Sequence, residues 1–145
     1  MRTLHTYGHS IDYGLEEGWV DCFTEDGSFD VRNRLDSEPR VYTGRDELKR
    51  YIAGHSRAPY GWHKHVMIEP IISLAGESAT CDSYFALLFH HEGAPMVRAF
   101  GRYRDRLTRG PDGRWRFAER IAEVESVRTD LPSLREGWKQ DPVRS

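Results

Sequence analysis

The spacing of apolar positions changes partway along the chain. Residues 3–13 carry a helical pattern that Gly14 is placed to stop. Residues 15–24 predict a second helix, with Leu15, Trp19, Val20 and Phe23 on one apolar stripe. Glu25-Asp26-Gly27 reads as a turn, and Ser28 to Arg34 alternates as a short strand with Phe29 and Val31 on one face. Residues 35–40, polar and holding Pro39, predict a loop. Thr43 then stands as a helix N-cap with Asp46 three residues on, opening a helix to about His55 that buries Leu48, Tyr51 and Ile52. Pro59 and Gly61 mark 56–62 as a loop. Beyond it the period shortens to two. Residues 63–74, 78–91, 95–109 and 114–127 are long strand-like runs, separated at Ala75-Gly76-Glu77, Glu92-Gly93-Ala94 and Gly110-Pro111-Asp112-Gly113.

Those connections are too short for parallel crossovers, so the pattern predicts an antiparallel meander. Helices followed by strands make the fold class α+β, a curved antiparallel sheet wrapped around N-terminal helices. The expected domain is 1–128, with 129–145 a polar, Pro-containing tail on the surface or disordered. A sheet of this size curving over three helices leaves a pocket on its concave face, the ordinary setting for a small-molecule site.

Composition narrows the partners. The 145 residues fit one core, and a net charge of −2 gives no electrostatic reason to bind nucleic acid or an anionic membrane. The arginines between 98 and 120 alternate with Asp105, Asp112 and Glu119, as on a solvated hairpin face. The N-terminal MRTLHTYGHS lacks the apolar core of a signal peptide, and no run is long enough to span a bilayer. Cys22 and Cys81 sit in apolar segments without metal spacing and read as buried thiols in a reducing compartment, so the cytoplasm is expected. Neither a Gly-rich phosphate loop nor a Gly-x-Ser-x-Gly elbow occurs, which argues against a nucleotide cofactor or a serine hydrolase; no cofactor is expected.

Four residues carry complementary chemistry: Tyr7, Asp12, His65 and Arg120. His65 precedes Val66-Met67-Ile68 at the start of a core-entering strand and is the side chain best matched to general-base work at neutral pH. Asp12 ends the first helix, where the dipole disfavours a carboxylate, so a partner is expected, and His65 is the obvious one. Tyr7 could donate to a substrate oxygen, although it lies about 140° from Asp12 around a straight helix. Arg120 would stabilise a developing anion, but its strand parity is opposite to that of Trp115 unless a bulge intervenes. Plainer readings stand beside these: a satisfied semi-buried histidine, a solvated aspartate, a core tyrosine, a surface arginine. Trp62, His63 and Tyr84 are further pocket candidates, and Glu119 and Glu123 are alternative acids. His63 and His65 alternate as metal ligands can, yet a third ligand is required, and no metal is expected.

The segment Trp19-Val20-Asp21-Cys22-Phe23-Thr24-Glu25-Asp26-Gly27, and Gly101-Arg102-Tyr103-Arg104-Asp105 leading to Gly113-Arg114-Trp115-Arg116-Phe117, resemble the SnoaL-like branch of the NTF2-like superfamily over residues 4–126. The resemblance implies a cystatin-like cone and a homodimer or homotrimer. In site pattern the chain is similar to bile-acid 7α-dehydratase, with its Tyr and Asp on the first helix, and to hexachlorocyclohexane dehydrochlorinase. It thereby implies roles for Tyr7, Asp12, His65 and Arg120. The expected function is a cofactor-independent lyase or dehydratase of a small apolar, cyclic substrate. The alternatives are an isomerase or polyketide cyclase using the same pocket, and a non-catalytic ligand-binding protein or accessory subunit.

Overall fold

The computed structural model describes residues 1–135. Helix α1 (Arg2–Tyr13) stops at Gly14, whose left-handed φ of 68° lets its N–H reach the Ser10 carbonyl. Helix α2 is short (Glu16–Val20), because the chain turns at Asp21 and enters strand β1 (Phe23–Asn33). The strand therefore starts five residues before the expected Ser28 and absorbs the turn expected at Glu25-Asp26-Gly27 as an irregular stretch, between the pairs Phe23–Phe117 and Ser28–Glu119. Gly27 makes that possible: a Cβ there would lie 2.8 Å from the Phe117 carbonyl oxygen.

Part of the expected 35–40 loop and the residues after it form an edge strand, β2 (Arg40–Thr43), paired with β1. Thr43 is thus the end of a strand; Gly44 caps helix α3 (Arg45–Ala53), and the Glu47 carboxylate accepts from the Thr43 backbone N–H. Strands β3 (His63–Ala75), β4 (Ser78–His91), β5 (Ala94–Arg109) and β6 (Trp115–Val127) form the expected meander.

The six-stranded sheet has the order β2-β1-β6-β5-β4-β3. It is mixed, which corrects the all-antiparallel expectation: β1 runs parallel to β6. After β2 the chain crosses by α3 and the 54–62 loop to the far edge and meanders back, so its last strand arrives beside its first. The sheet curves over the helices without closing into a barrel, a cystatin-like, NTF2-like fold. Its core is aromatic: Trp19 lies 5.0 Å from Phe23 and 5.3 Å from Tyr51, and Phe23 lies 5.3 Å from Phe117, as ring centroids.

Two bulges re-aim side chains. In β6, Glu119 pairs with Arg106 but Phe117 with Leu107, so Ala118 is the extra residue, and both Phe117 and Arg120 turn inward. This resolves the parity of Trp115 and Arg120. In β5, Ala99 pairs with Leu87 but Val97 with Leu88, so Arg98 is the extra residue.

The 129–135 segment lies against the domain. The Ser56 N–H donates to the Leu134 carbonyl (2.8 Å), Arg98 donates to that of Pro132 (2.7 Å), and the Arg135 guanidinium sits 4.4 Å above the Tyr51 ring. The rest of the expected tail, 136–145, lies outside the described residues. Among the described residues no helix is long and apolar enough to cross a membrane.

Candidate active site

The last turn of α1 meets the first residues of β3. Asp12, 4% exposed, is held there by three hydrogen bonds to its Oδ1. The Nδ1 atoms of His65 and His63 lie 2.7 and 3.0 Å away, and the His65 backbone N–H donates from 3.1 Å. These donors are the partners that a carboxylate at a helix C-terminus needs. The other nitrogen of His63, Nε2, lies 2.8 Å from the Ser56 carbonyl oxygen, so the ring stands between two acceptors and its single N–H, when neutral, serves one of them.

The pattern sets the state of His65. With Nδ1–H bound to Asp12, the neutral ring keeps its lone pair on Nε2, and the ring borders a cavity. Burial pushes the Asp12 carboxyl up, but the hydrogen bonds from His63 and His65 outweigh it and hold the group at about 2. Burial dominates for His65 and lowers its imidazole below 6.5, against the opposing pull of Asp12. A neutral base oriented by an ionised carboxylate results.

These shifts predict a pH dependence of stability. His55, fully buried, is also held well below 6.5, first by burial and then by the nearby His65 and His63. Groups with depressed folded-state values bind protons in the unfolded chain first. Their contribution is complete above pH 6.5 and is lost as pH falls through the unfolded value toward the folded ones. Asp12 adds a second loss between 3.8 and about 2. Urea denaturation from about pH 8 to 5 should show a falling midpoint, and a smaller fall in His55→Gln.

The cavity measures about 190 Å³. Phe29, Phe85, Leu87 and Val124 supply apolar wall, Tyr7, Tyr51 and Tyr103 line it, and Leu134 and Arg135 bring the C-terminal segment to it. Tyr7 is buried, and burial foremost raises its phenol well above 10.0, so it stays a protonated donor; its ring lies edge-on to that of Tyr103 at 5.8 Å. Its ring meets that of His65 edge-on at 6.4 Å. Tyr7, Asp12 and His65 are thus brought together.

Arg120 is elsewhere. It forms a two-pronged pair with Asp105 (2.8 and 2.9 Å), fully buried among the rings of Tyr103, Tyr7 and Phe117 at 3.7, 4.2 and 4.3 Å. The reason is local: the bulge at Ala118 turns Arg120 inward, and Asp105 is its direct cross-strand neighbour. Burial works against its charge, but Asp105 holds the guanidinium above its ordinary value. Arg120 therefore backs the tyrosine wall and does not border the cavity.

Other expected pocket residues are also displaced. Tyr84 is 57% exposed on the outer face of β4, where Phe85 and Leu87 take the inward parity. Trp62 is 38% exposed and outside the cavity. His63 sits behind His65 as the second donor to Asp12. Glu123 pairs with Arg102 and Arg104 at the surface, and neither it nor Glu119 borders the cavity. His55 and Arg98 border it and were not singled out from the sequence. His55 stands just past the C-terminal end of the recognised helix, whereas the bulge that turns Arg98 inward has no local signature.

One ligand atom each from Asp12, His63 and His65 lie within 4.8 Å of one another, a donor set that suits a divalent transition metal. The same atoms are engaged in mutual hydrogen bonds, which a cation would have to replace. A second cavity of about 270 Å³, near the start of α1, has Cys22 and Cys81 in its lining and no histidine or carboxylate. Burial pushes the Cys22 thiol up to about 12, leaving it unreactive.

The profile of a family described as a SnoaL-like domain matches residues 1–121. No curated protein matches the chain. Among solved structures, a protein of unknown function from Mycobacterium tuberculosis is 28% identical, with a TM-score of 0.74 over 89% of this chain and 76% of that one. ActVI-ORFA from Streptomyces coelicolor is 24% identical (TM-score 0.70, 83% of this chain and 90% of that one). A Novosphingobium aromaticivorans protein assigned as the beta subunit of an aromatic-ring-hydroxylating dioxygenase is 17% identical (TM-score 0.71, 88% and 87%). The last two share the fold with this chain.

Proposed function

The chain belongs to the SnoaL-like family, and on that premise we propose that it is a lyase that removes a carbon-bound proton from a small apolar, cyclic substrate and expels water. The observation that carries this reading is the Asp12–His65 contact of 2.7 Å, which leaves Nε2 as the free base of a ring bordering an apolar cavity. His65 takes the proton, forming an imidazolium that Asp12 stabilises. The electron pair of the broken C–H bond enters an enolate, whose oxygen the Tyr7 hydroxyl supports. Collapse of the enolate breaks the C–O bond, and the proton on His65 passes to the departing hydroxide, giving an alkene and water. No group from outside the chain is required for this proton traffic.

A second reading, isomerisation or cyclisation of a polyketide-like substrate, shares every step up to the enolate. It is favoured by the absence of a carboxylic acid among the described cavity residues and by the engagement of Arg120 with Asp105, since both remove help for a leaving group. Product mass separates the two. Incubation with cyclic β-hydroxy ketones should yield products lighter by one water; an unchanged mass with altered connectivity selects the second reading, and recovery of every substrate unchanged contradicts both.

A homodimer or homotrimer is part of the proposal. The outer face of the sheet exposes Val66, Ile68, Leu88, Val97 and Phe100, a surface suited to burial against a second copy.

A further inference from the structure

Arg98 is an unusual residue for an apolar cavity. It is 9% exposed and borders the chamber that His65 borders. Its Nη2 donates to the Pro132 carbonyl at 2.7 Å, and its guanidinium lies 4.9 Å over the Phe89 ring. Its Nη1 is buried with no hydrogen-bond partner. Among the described residues no carboxylate pairs with it, whereas the other buried cation, Arg120, has Asp105 in two-pronged contact. A buried guanidinium without a counter-charge is costly, and arginine does not lose its proton to escape that cost. Backbone geometry also singles Arg98 out: it is the extra residue of the β5 bulge, the device that turns it inward beside Ala99. Arg40 and Arg135 border the same chamber, and none of its described lining residues is acidic.

We propose that Arg98 is the anion-binding residue of the cavity and that the ligand is a ring compound bearing one carboxylate. The carboxylate meets the Arg98 guanidinium, which borders the chamber, and supplies the missing counter-charge, while the ring lies against Phe29, Phe85 and Leu87 within reach of His65. Volume limits the body to about one substituted ring, since a cavity of about 150 Å³ already takes benzene and this one is about 190 Å³. The inference rests on the reading of the cavity as the substrate site and changes the expected substrate there from an apolar ring to a ring acid.

The test is calorimetric titration of the full chain with benzoate and cyclohexanecarboxylate against benzamide and cyclohexanecarboxamide. The acids should bind about tenfold or more tightly than the amides. Arg98→Met should remove that preference by weakening the acids alone, and Arg98→Lys should keep part of it. Equal binding of acid and amide by the wild type overturns the proposal, as does an equal loss of both in Arg98→Met, which would mark Arg98 as only an anchor for Pro132. Failure of the acids to bind at millimolar concentration overturns it too. Should Arg98→Met not fold, the wild-type comparison with Arg98→Lys still decides. Titration of His65→Ala keeps the two readings apart. Acid preference retained there, with no turnover of any hydroxylated ring acid by the wild type, supports the anion site and contradicts the lyase.

Discussion

His65→Ala is expected to lower kcat/KM by about 10²- to 10⁴-fold, the range associated with losing a positioned general base. Its fold should persist. Asp12 keeps the Nδ1 contact of His63 and the backbone N–H of residue 65, so the carboxylate is not stranded. Asp12→Asn should cost activity on a similar scale for a different reason. An amide can turn its NH₂ toward Nδ1 of His65, favouring the other tautomer and placing a proton on the nitrogen that should accept one. The acid limb of the wild-type profile should fall below pH 6.5, because burial lowers His65. Steady-state kinetics with the substrate found by the mass screen, beside circular dichroism, checks the set. A His65→Ala variant within a few-fold of wild type would remove the base from the mechanism.

Asp105→Asn should be the most damaging substitution for stability, at about 3–5 kcal/mol. It leaves the Arg120 guanidinium buried beside Tyr7 and Tyr103 with its Nη1 already unpartnered and its charge uncompensated. Replacing both members, Asp105→Leu with Arg120→Met, should recover much of the loss, since a packed apolar pair of similar volume avoids the desolvation of two ions. Urea denaturation of the two single variants and the double gives the cycle. An Asp105→Asn protein within about 1 kcal/mol of wild type would show the pair to be wet rather than buried.

Much of the architecture could be read from the chain because local signals agreed with the global fold. Period-two patterning and short turns located β3 to β6, and Gly14 ended α1 where expected. What escaped depended on distant partners. The stretch Phe23–Gly27 carries a helix-and-turn signal, yet it extends β1 because Phe23 pairs with Phe117, nearly a hundred positions away. The parallel β1–β6 pairing, which makes the sheet mixed, follows from chain routing that no local pattern encodes. The site divides in the same way. Asp12 and His65 were legible because a carboxylate at a helix C-terminus asks for a donor. Arg120 was legible as a cation but not as the partner of Asp105, since its inward turn depends on the bulge at Ala118. Tyr84 lies on the outer face because Phe85 and Leu87 take the inward parity of β4, and Arg98 was hidden by its own bulge.

The central claim is that Asp12 fixes His65 as the Nδ1–H tautomer with Nε2 free. Long-range ¹⁵N–¹H NMR correlation of the histidine rings across pH tests it without a substrate. The account predicts a protonated Nδ1 and an unprotonated Nε2 for His65 at pH 7, titrating below 6.5, and a changed tautomer balance in Asp12→Asn. A proton on Nε2 at pH 7, or a spectrum that Asp12→Asn leaves unaltered, would contradict it.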